Sequence, residues 1–502
     1  MVDKYNHKKT FMNQKNMANT LAELIFIPAP GVGHLKLTME IAKLLVNRDQ
    51  RLFITVLVIK PLSVSSGTAV TAYIESLAEN NMNHISFILL PQDETQPFHD
   101  PKDPSNSPIE FINSHSKYAR NAVTDLKSQP GSRWIVGFVV DMFCTSMIDV
   151  ANEFDVPTFV FFTSNAAFLG FTLYIKTLCD DLNRDVVDLS NSGTEILVPS
   201  FVNPVPTKVF WSGVKTRSGL DFVQWFARKL GEAKGIIVNT FLDLETHAIE
   251  SLSADTSIPP LYPVGPILNL EGGSGGGKPF DDDVVRWLDS QPSSSVVFLC
   301  FGTNGSFDEV QVKEIARGLE QSGYRFVWSL RRPPSDQTSR DPSDYEDPSV
   351  VLPEGFLERT RGIGKVIGWS PQAPVLGHEA IGGFVSHCGW NSLLESLWFG
   401  VPTATWPMYA EQHMNAFEMV VELGLAVEIE LDYMKDLYNT KANTIIVTAE
   451  QIESGIRRLM EDNEIRRKVK EMSAKSRSAV VEGGSSYASI GCLIQDFVRD
   501  NF

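Results

Sequence analysis

Short runs of β-branched and aromatic apolar residues alternate along the chain with amphipathic stretches of helix length. In the first half the apolar runs are 24–29, 52–59, 85–90, 135–140, 158–162 and 235–239. In the second half they are 296–301, 325–330, 365–367, 383–386 and 403–406. A continuous apolar run suits a strand covered on both faces, and alternation with helices predicts parallel βαβ units rather than hairpins. Between the two sets lie Tyr-Pro-Val-Gly-Pro at 262–266 and a Gly/Ser-rich stretch at 271–277, which together read as a linker. The predicted organisation is an α/β protein with two doubly wound parallel sheets facing across a cleft. Residues 1–20 form a polar extension expected to be disordered, 21–260 a first domain, 261–280 a linker and 281–485 a second domain. Residues 486–502 form a last helix that can pack back on the first domain.

The polar residues that interrupt this pattern fall where the strands end. The first run leads into Pro30-Gly31-Val32-Gly33-His34, the fourth ends on Asp141, and the fifth on Thr163-Ser164. In the second half the ends are Gly302-Thr303-Asn304-Gly305-Ser306, Gly368-Trp369, His387, and the approach to Glu411-Gln412. Open α/β sheets bind ligands beyond the carboxyl ends of their strands, so two facing edges predict one interdomain site.

A net charge of −17 and the lack of a Lys/Arg cluster argue against nucleic acid or an anionic membrane as partner. Five scattered cysteines with no CxxC pair fit buried small hydrophobes in a reducing compartment. The first twenty residues lack the apolar segment of a signal peptide, and no apolar run is long enough to span a bilayer. A soluble, cytoplasmic monomer is expected. Three motif matches near the linker are set aside. Gly272-Gly-Ser274-Gly-Gly276 fits a hydrolase elbow but follows no strand. The phosphate-loop match ending at Lys278 has Pro279 where Ser or Thr should hold magnesium. Asp281-Asp282-Asp283 reads as a helix N-terminus rather than a metal site.

The stretch 369–412 is the most informative. His387-Cys-Gly389-Trp-Asn391-Ser392 joins a buried strand to a helix, and the free N–H groups at that helix start suit a phosphate. A simpler reading is also open, because Ser392 and Glu395 have the spacing of a capping box. Trp369 can equally be a packing residue or a platform for an aromatic base. Taken whole, 369–412 resembles the signature box of the plant secondary-product UDP-glycosyltransferases. The likeness extends to Pro-Ala-Pro-Gly-Val-Gly-His at 28–34, Cys-Phe-Gly-Thr-Asn-Gly-Ser at 300–306 and the 262–266 motif. The resemblance implies the GT-B architecture, with the acceptor bound by the first domain and the donor mainly by the second. It implies that Trp369 stacks on uracil, that Ser370 and Gln372 contact the uridine, and that His387, Asn391 and Ser392 hold the diphosphate. Glu395 would accept from the ribose, and Trp390, Glu411 and Gln412 would face the sugar. Glu411 departs from the more common Asp of the family but keeps the carboxylate. Gln412 implies glucose, hence UDP-glucose as donor cosubstrate, with no cofactor and no metal. Thr303 and Ser306 would lie beside the phosphates, Thr163 at the sugar edge, and Phe143, Asn165 and the 92–108 segment at the acceptor.

Transfer to a phenol or alcohol needs a base to take its proton. His34 is the candidate, with Asp141 orienting its ring and stabilising the imidazolium. By its residues alone His34 could be structural; the family pattern favours the catalytic role. The expected activity is metal-independent, inverting O-glucosylation of a small hydrophobic plant metabolite, a flavonoid, chalcone or other phenolic first, terpenoids and hormones after. A nicotinamide oxidoreductase would want a third glycine where Lys36 stands. A non-catalytic sensor of UDP-sugars has no use for the His34 and Asp141 pairing.

Overall fold

The strand Ala22–Ile27 (β1) is buried at all six positions, and its side chains alternate between two cores. Leu24 and Phe26 pack with Leu35, Met39 and Leu45 of the helix Val32–Arg48, while Ile25 and Ile27 pack with the opposite layer around Phe162 and Phe168. That double coverage is why the strand reads as an unbroken apolar run. In this computed structural model the described residues are 21–61, 64–78, 83–92, 107–270, 281–334, 342–433 and 445–499. The expected extension at 1–20, the glycine stretch 271–277 and most of the 92–108 segment lie outside them.

The first sheet continues with Leu52–Val58 (β2), Ile85–Leu89 (β3), Trp134–Asp141 (β4) and Thr158–Phe162 (β5). A two-residue hairpin of Glu195–Ile196 (β6) and Val205–Pro206 (β7) intervenes before Gly235–Val238 (β8) and Leu261–Pro263 (β9). Its order is β3-β2-β1-β4-β5-β8-β9, all parallel. The second sheet begins with Val296–Cys300 (β10) and Arg325–Ser329 (β11), followed by a small hairpin of Arg331–Arg332 (β12) and Ser343–Asp344 (β13). Gly364–Ile367 (β14), Ile381–Ser386 (β15), Thr403–Thr405 (β16) and Ala426–Glu428 (β17) complete it. Its order is β14-β11-β10-β15-β16-β17, again all parallel. In each sheet the chain winds outward from the first strand and then returns to its other side. The reversal opens a crevice between β1 and β4 in one sheet and between β10 and β15 in the other, the place where such sheets bind ligands.

Besides the two small hairpins, two strands of the large sheets escape the pattern reading. Leu261–Pro263 lies in the stretch expected to be linker but forms the edge of the first sheet, where proline is tolerated because one side of the strand needs no ladder donor. Ala426–Glu428 is a three-residue strand behind a π-helical turn, too short to give a periodic signal. The acid triplet does begin a helix: Asp281 caps Asp282–Asp289, accepting from the Asp283 N–H at 2.8 Å.

The helix Ser485–Arg499 ends the second domain's chain but belongs to the first domain's core. Ile490, Leu493, Ile494 and Phe497 pack beneath β1 and β4, with Phe497 edge-on to Phe159 at 4.7 Å between ring centroids. Tyr262 donates to Asp496 at 2.6 Å, and the Arg48 guanidinium lies 3.4 Å from the Tyr487 ring centroid. The strap buries a full apolar helix face, so it is a structural part of the first domain. Phe497→Ala should cost about 3–4 kcal/mol, read as a lower denaturant midpoint, and a shift below a fifth of that would contradict the docking.

Candidate active site

At the first reversal, Gly31 (φ 143°) turns the chain from β1 into the helix Val32–Arg48, placing His34 in its first turn. β4 ends on Asp141, whose carboxylate accepts from His34 Nδ1 at 2.7 Å and from the Phe143 N–H at 3.0 Å. Asp141 is fully buried, whereas the His34 side chain keeps 32% of its surface exposed. A carboxylate can only accept, so Nδ1 carries the proton and Nε2 presents its lone pair. Burial works to lower the His34 pKa, but the charge and hydrogen bond of Asp141, with the charge of Glu411, outweigh it and raise it above 6.5. Phe143 meets the imidazole edge-on at 5.6 Å.

At the second reversal, β10 runs into Gly302 (φ 72°) and β15 into His387. The His387 ring lies between Gly302 and Gly389, where a Cβ would sit 2.5 and 2.6 Å from Nε2. Both positions therefore require glycine. Burial lowers the His387 pKa to about 4, so the ring is a neutral donor rather than a cation. Its buried Nδ1 has no hydrogen-bond partner among the described residues. Cys388 then adopts a left-handed conformation (φ 64°), and Gly389 opens the helix Trp390–Phe399 with no side-chain cap. Ser392 is the third helical residue and its hydroxyl donates to Gln372 at 3.3 Å, which rules out the capping-box alternative. Gln372 in turn donates to Glu395 at 2.7 Å.

Burial raises the Glu395 pKa to about 7, against the Gln372 hydrogen bond and the charge of Lys36. Lys36, on the His34 helix, lies 5.6 Å from the Tyr73 ring centroid, and its charge acts on Glu395 of the second domain, a relation that no linear motif predicts. The Trp369 backbone is fixed by Asp344 of the β12–β13 hairpin, which accepts its N–H at 2.8 Å; Asp344 too has no motif to mark it. The Ser370 hydroxyl is buried without a partner among the described residues. In the loop after β10, Thr303 is exposed and Ser306 buried.

Glu411 precedes the helix Gln412–Phe417 and accepts from Ser164 at 3.4 Å, beside buried Thr163 at the end of β5. Burial raises the pKa of Glu411 as well. Four expected ligand residues also have polar atoms engaged within the chain. The Trp390 indole is buried and its Nε1 donates to the Asn239 carbonyl in the first domain at 2.7 Å. Asn165 is buried too. It caps the helix Ala166–Asp180, accepting from Phe168 N–H at 2.6 Å, and donates to Asn415 at 2.8 Å. Gln412 uses its amide oxygen on the N–H groups of Met408 and Tyr409, both at 3.0 Å. Asn391 accepts from Asn239 at 3.3 Å.

The family model described as "UDP-glucoronosyl and UDP-glucosyl transferase" matches residues 252–465. A Fragaria ananassa protein named putative UDP-glucose flavonoid 3-O-glucosyltransferase 3 is 50% identical, over 94% of this chain and 98% of its own. The chain belongs to the plant UDP-glycosyltransferase family. A Manihot esculenta protein named anthocyanidin 3-O-glucosyltransferase 1 is also 50% identical, over 93% of this chain and all of its own. The crystal structure of Medicago truncatula UGT71G1 complexed with UDP-glucose superposes with a TM-score of 0.82 at 41% identity, covering 96% of this chain and 99% of that one. This UDP-glycosyltransferase therefore has the GT-B architecture, two parallel-sheet α/β domains across a cleft. No helix among the described residues is long and apolar enough to cross a membrane.

In such an enzyme, Glu395 gives a pH signature. With Glu395 as the proposed acceptor for the ribose hydroxyls, donor KM should fall as pH rises through about 7, because a carboxylate accepts better than a carboxyl does. Glu395→Gln should raise donor KM about tenfold and flatten that dependence. The sign for stability is opposite. A carboxyl whose pKa is raised by folding favours the folded state below its ordinary value of 4.5, and that contribution is lost as pH rises through about 7. Glu395→Gln should therefore melt no earlier than the parent at pH 8.

Proposed function

We propose that this enzyme transfers glucose from UDP-glucose to a hydroxyl of a small hydrophobic plant metabolite, with inversion at the anomeric carbon. The observation that carries the reading is the hydrogen-bonded His34 and Asp141 pair at the carboxyl edge of the first sheet, with the uncapped helix start of Trp390–Phe399 at the carboxyl edge of the second. In this mechanism His34 Nε2 takes the proton of the acceptor hydroxyl while its oxygen attacks the anomeric carbon from the side opposite UDP. The bond from that carbon to the β-phosphate oxygen breaks, giving a β-glucoside and UDP. The Asp141 carboxylate accepts from Nδ1 and stabilises the imidazolium. Negative charge growing on the diphosphate is met by the helix dipole and N–H groups around Asn391 and Ser392, by neutral His387, and by Thr303 and Ser306. Trp369, Ser370, Gln372 and Glu395 take the uridine, and Thr163, Glu411 and Gln412 the sugar edge. These dipoles fill the role a metal ion has elsewhere, so no metal or further cofactor is required.

The names of the relatives at 50% identity support a flavonoid-type phenol as acceptor and UDP-glucose as donor. We place the reaction on a cytoplasmic monomer. A UDP-sugar sensor would need the nucleotide site but no base, and the buried Asp141 beneath His34 favours catalysis over it.

His34→Ala should leave UDP affinity within twofold while lowering transfer about 10³-fold, followed by mass spectrometry of a flavonol acceptor incubated with UDP-glucose. Normal turnover would remove His34 as the base. Because the reactive form is neutral and its pKa is raised, the parent rate should climb with pH through a value above 6.5. Asp141→Asn removes the charge that raises it, so the rising limb should move to lower pH and reach a lower plateau. Excess EDTA should leave the rate unchanged.

A further inference from the structure

Between the two domains, three buried groups form a chain of hydrogen bonds, and its middle member, Asn415, also hydrogen-bonds the Glu411 carboxylate. Asn165, at the carboxyl edge of the first sheet, donates through Nδ2 to Asn415 Oδ1 at 2.8 Å. Asn415 Nδ2 donates to the carbonyl of Cys388 at 3.0 Å. Asn165 and Asn415 are 1% and 0% exposed, so neither amide has water as an alternative partner. The direction of the chain is fixed at its first link. Asn165 Oδ1 accepts from the Phe168 N–H, which leaves Nδ2 as the group facing Asn415 and forces Asn415 to present oxygen to Asn165 and nitrogen to Cys388.

The carbonyl it reaches belongs to a strained position. A non-glycine residue at φ 64° lies in the sparsely populated left-handed region and persists only when its surroundings hold it. Cys388 is held on one side by its N–H, which donates to Ser386 Oγ at 3.1 Å, and on the other by Asn415. Its conformation sets the direction in which the next residue, Gly389, launches the uncapped helix. Meanwhile Asn165 caps the helix Ala166–Asp180, whose first two N–H groups are bound by buried Glu245 at 3.0 and 2.8 Å. That helix start is therefore rigid, and displacing it would pull on Asn415.

We propose that Asn415 is a positioning residue through which the first domain sets the diphosphate-binding turn of the second, by holding the left-handed Cys388 carbonyl against Asn165. The inference rests on the reading that the helix start at Trp390–Phe399 receives the diphosphate. It makes the affinity for the phosphates, and not for the nucleoside, depend on a residue of the opposite domain.

The test compares UDP and uridine binding by calorimetry on the full chain. Asn415→Asp keeps the acceptor for Asn165 but removes the donor to Cys388 and the hydrogen bond to Glu411, so Asn165→Asp is the deciding variant. Asn165→Asp keeps the helix cap but places an oxygen against Asn415 Oδ1. Each should weaken UDP about tenfold, the effect of one buried hydrogen bond, and leave uridine within twofold. KM for UDP-glucose should rise in the same proportion. Equal losses for UDP and uridine would mean a general structural role and overturn the proposal, as would unchanged binding of both. Should Asn415→Asp not fold, Asn165→Asp alone decides between these outcomes. If the parent chain binds UDP no better than uridine, the diphosphate reading itself fails and the inference falls with it. A parent preference for UDP that both variants retain refutes only the role of Asn415.

Discussion

A strand buried on both faces leaves polar chemistry only one place to go, its end. β1, β4, β10 and β15 are central strands of their sheets, covered by helices on both sides, and none has an interior position where a catalytic side chain could reach solvent. Parallel winding puts all the carboxyl ends of a sheet on one edge, and the reversal of winding prevents the crossover helices from closing the gap between β1 and β4, or between β10 and β15. His34 and Asp141 meet across the first gap, Gly302 and His387 across the second. The site follows from topology before any individual side chain is considered.

The same enclosure sets the charges. Burial raises Glu395 and Glu411 and lowers His387, the ordinary direction for groups withdrawn from water. Of these four groups His34 alone moves against its burial, because the Asp141 carboxylate lies 2.7 Å away. The two histidines thus divide the work. One is tuned upward as a base, and the other stays neutral and can donate a hydrogen bond without adding a charge. An acidic chain of net charge −17 that receives a diphosphate must do so at short range, where local dipoles act and distant charge is screened beyond about 8–10 Å. The charge of Lys36, a residue of the first domain, acts on Glu395 in this region.

How much of this could be read from the sequence depended on how local the cause was. Strand runs such as 158–162 and the helix start at Asp281 are set by neighbours within a few residues, so their patterns carried through to the structure. The short edge strands Leu261–Pro263 and Ala426–Glu428 had no period long enough to register. Roles assigned from one segment could not anticipate contacts made across the cleft. Trp390 and Asn165 both sit among ligand-type residues, yet their polar atoms are taken by Asn239 and Asn415, 151 and 250 residues distant. Asp344 and Lys36 give the opposite case, residues without a motif that reach the site through tertiary structure alone.

Those cross-cleft contacts also alter what the donor site is. The helix Trp390–Phe399 has three different faces at its first turn. Its N–H groups point along the axis, Ser392 and Glu395 bind Gln372, and Trp390 and Asn391 engage Asn239 of the first domain. A second domain held apart from the first would keep the glycine-framed His387 but lose the anchors on Trp390 and Asn415. Because each anchor is a buried polar pair, separating the domains would expose or orphan both partners, at roughly 1–3 kcal/mol for each group left unsatisfied. Docking of the domains and shaping of the nucleotide-binding turn are therefore one energetic event, and the last helix, fastened into the first domain by Phe497, ties both ends of the second domain to it.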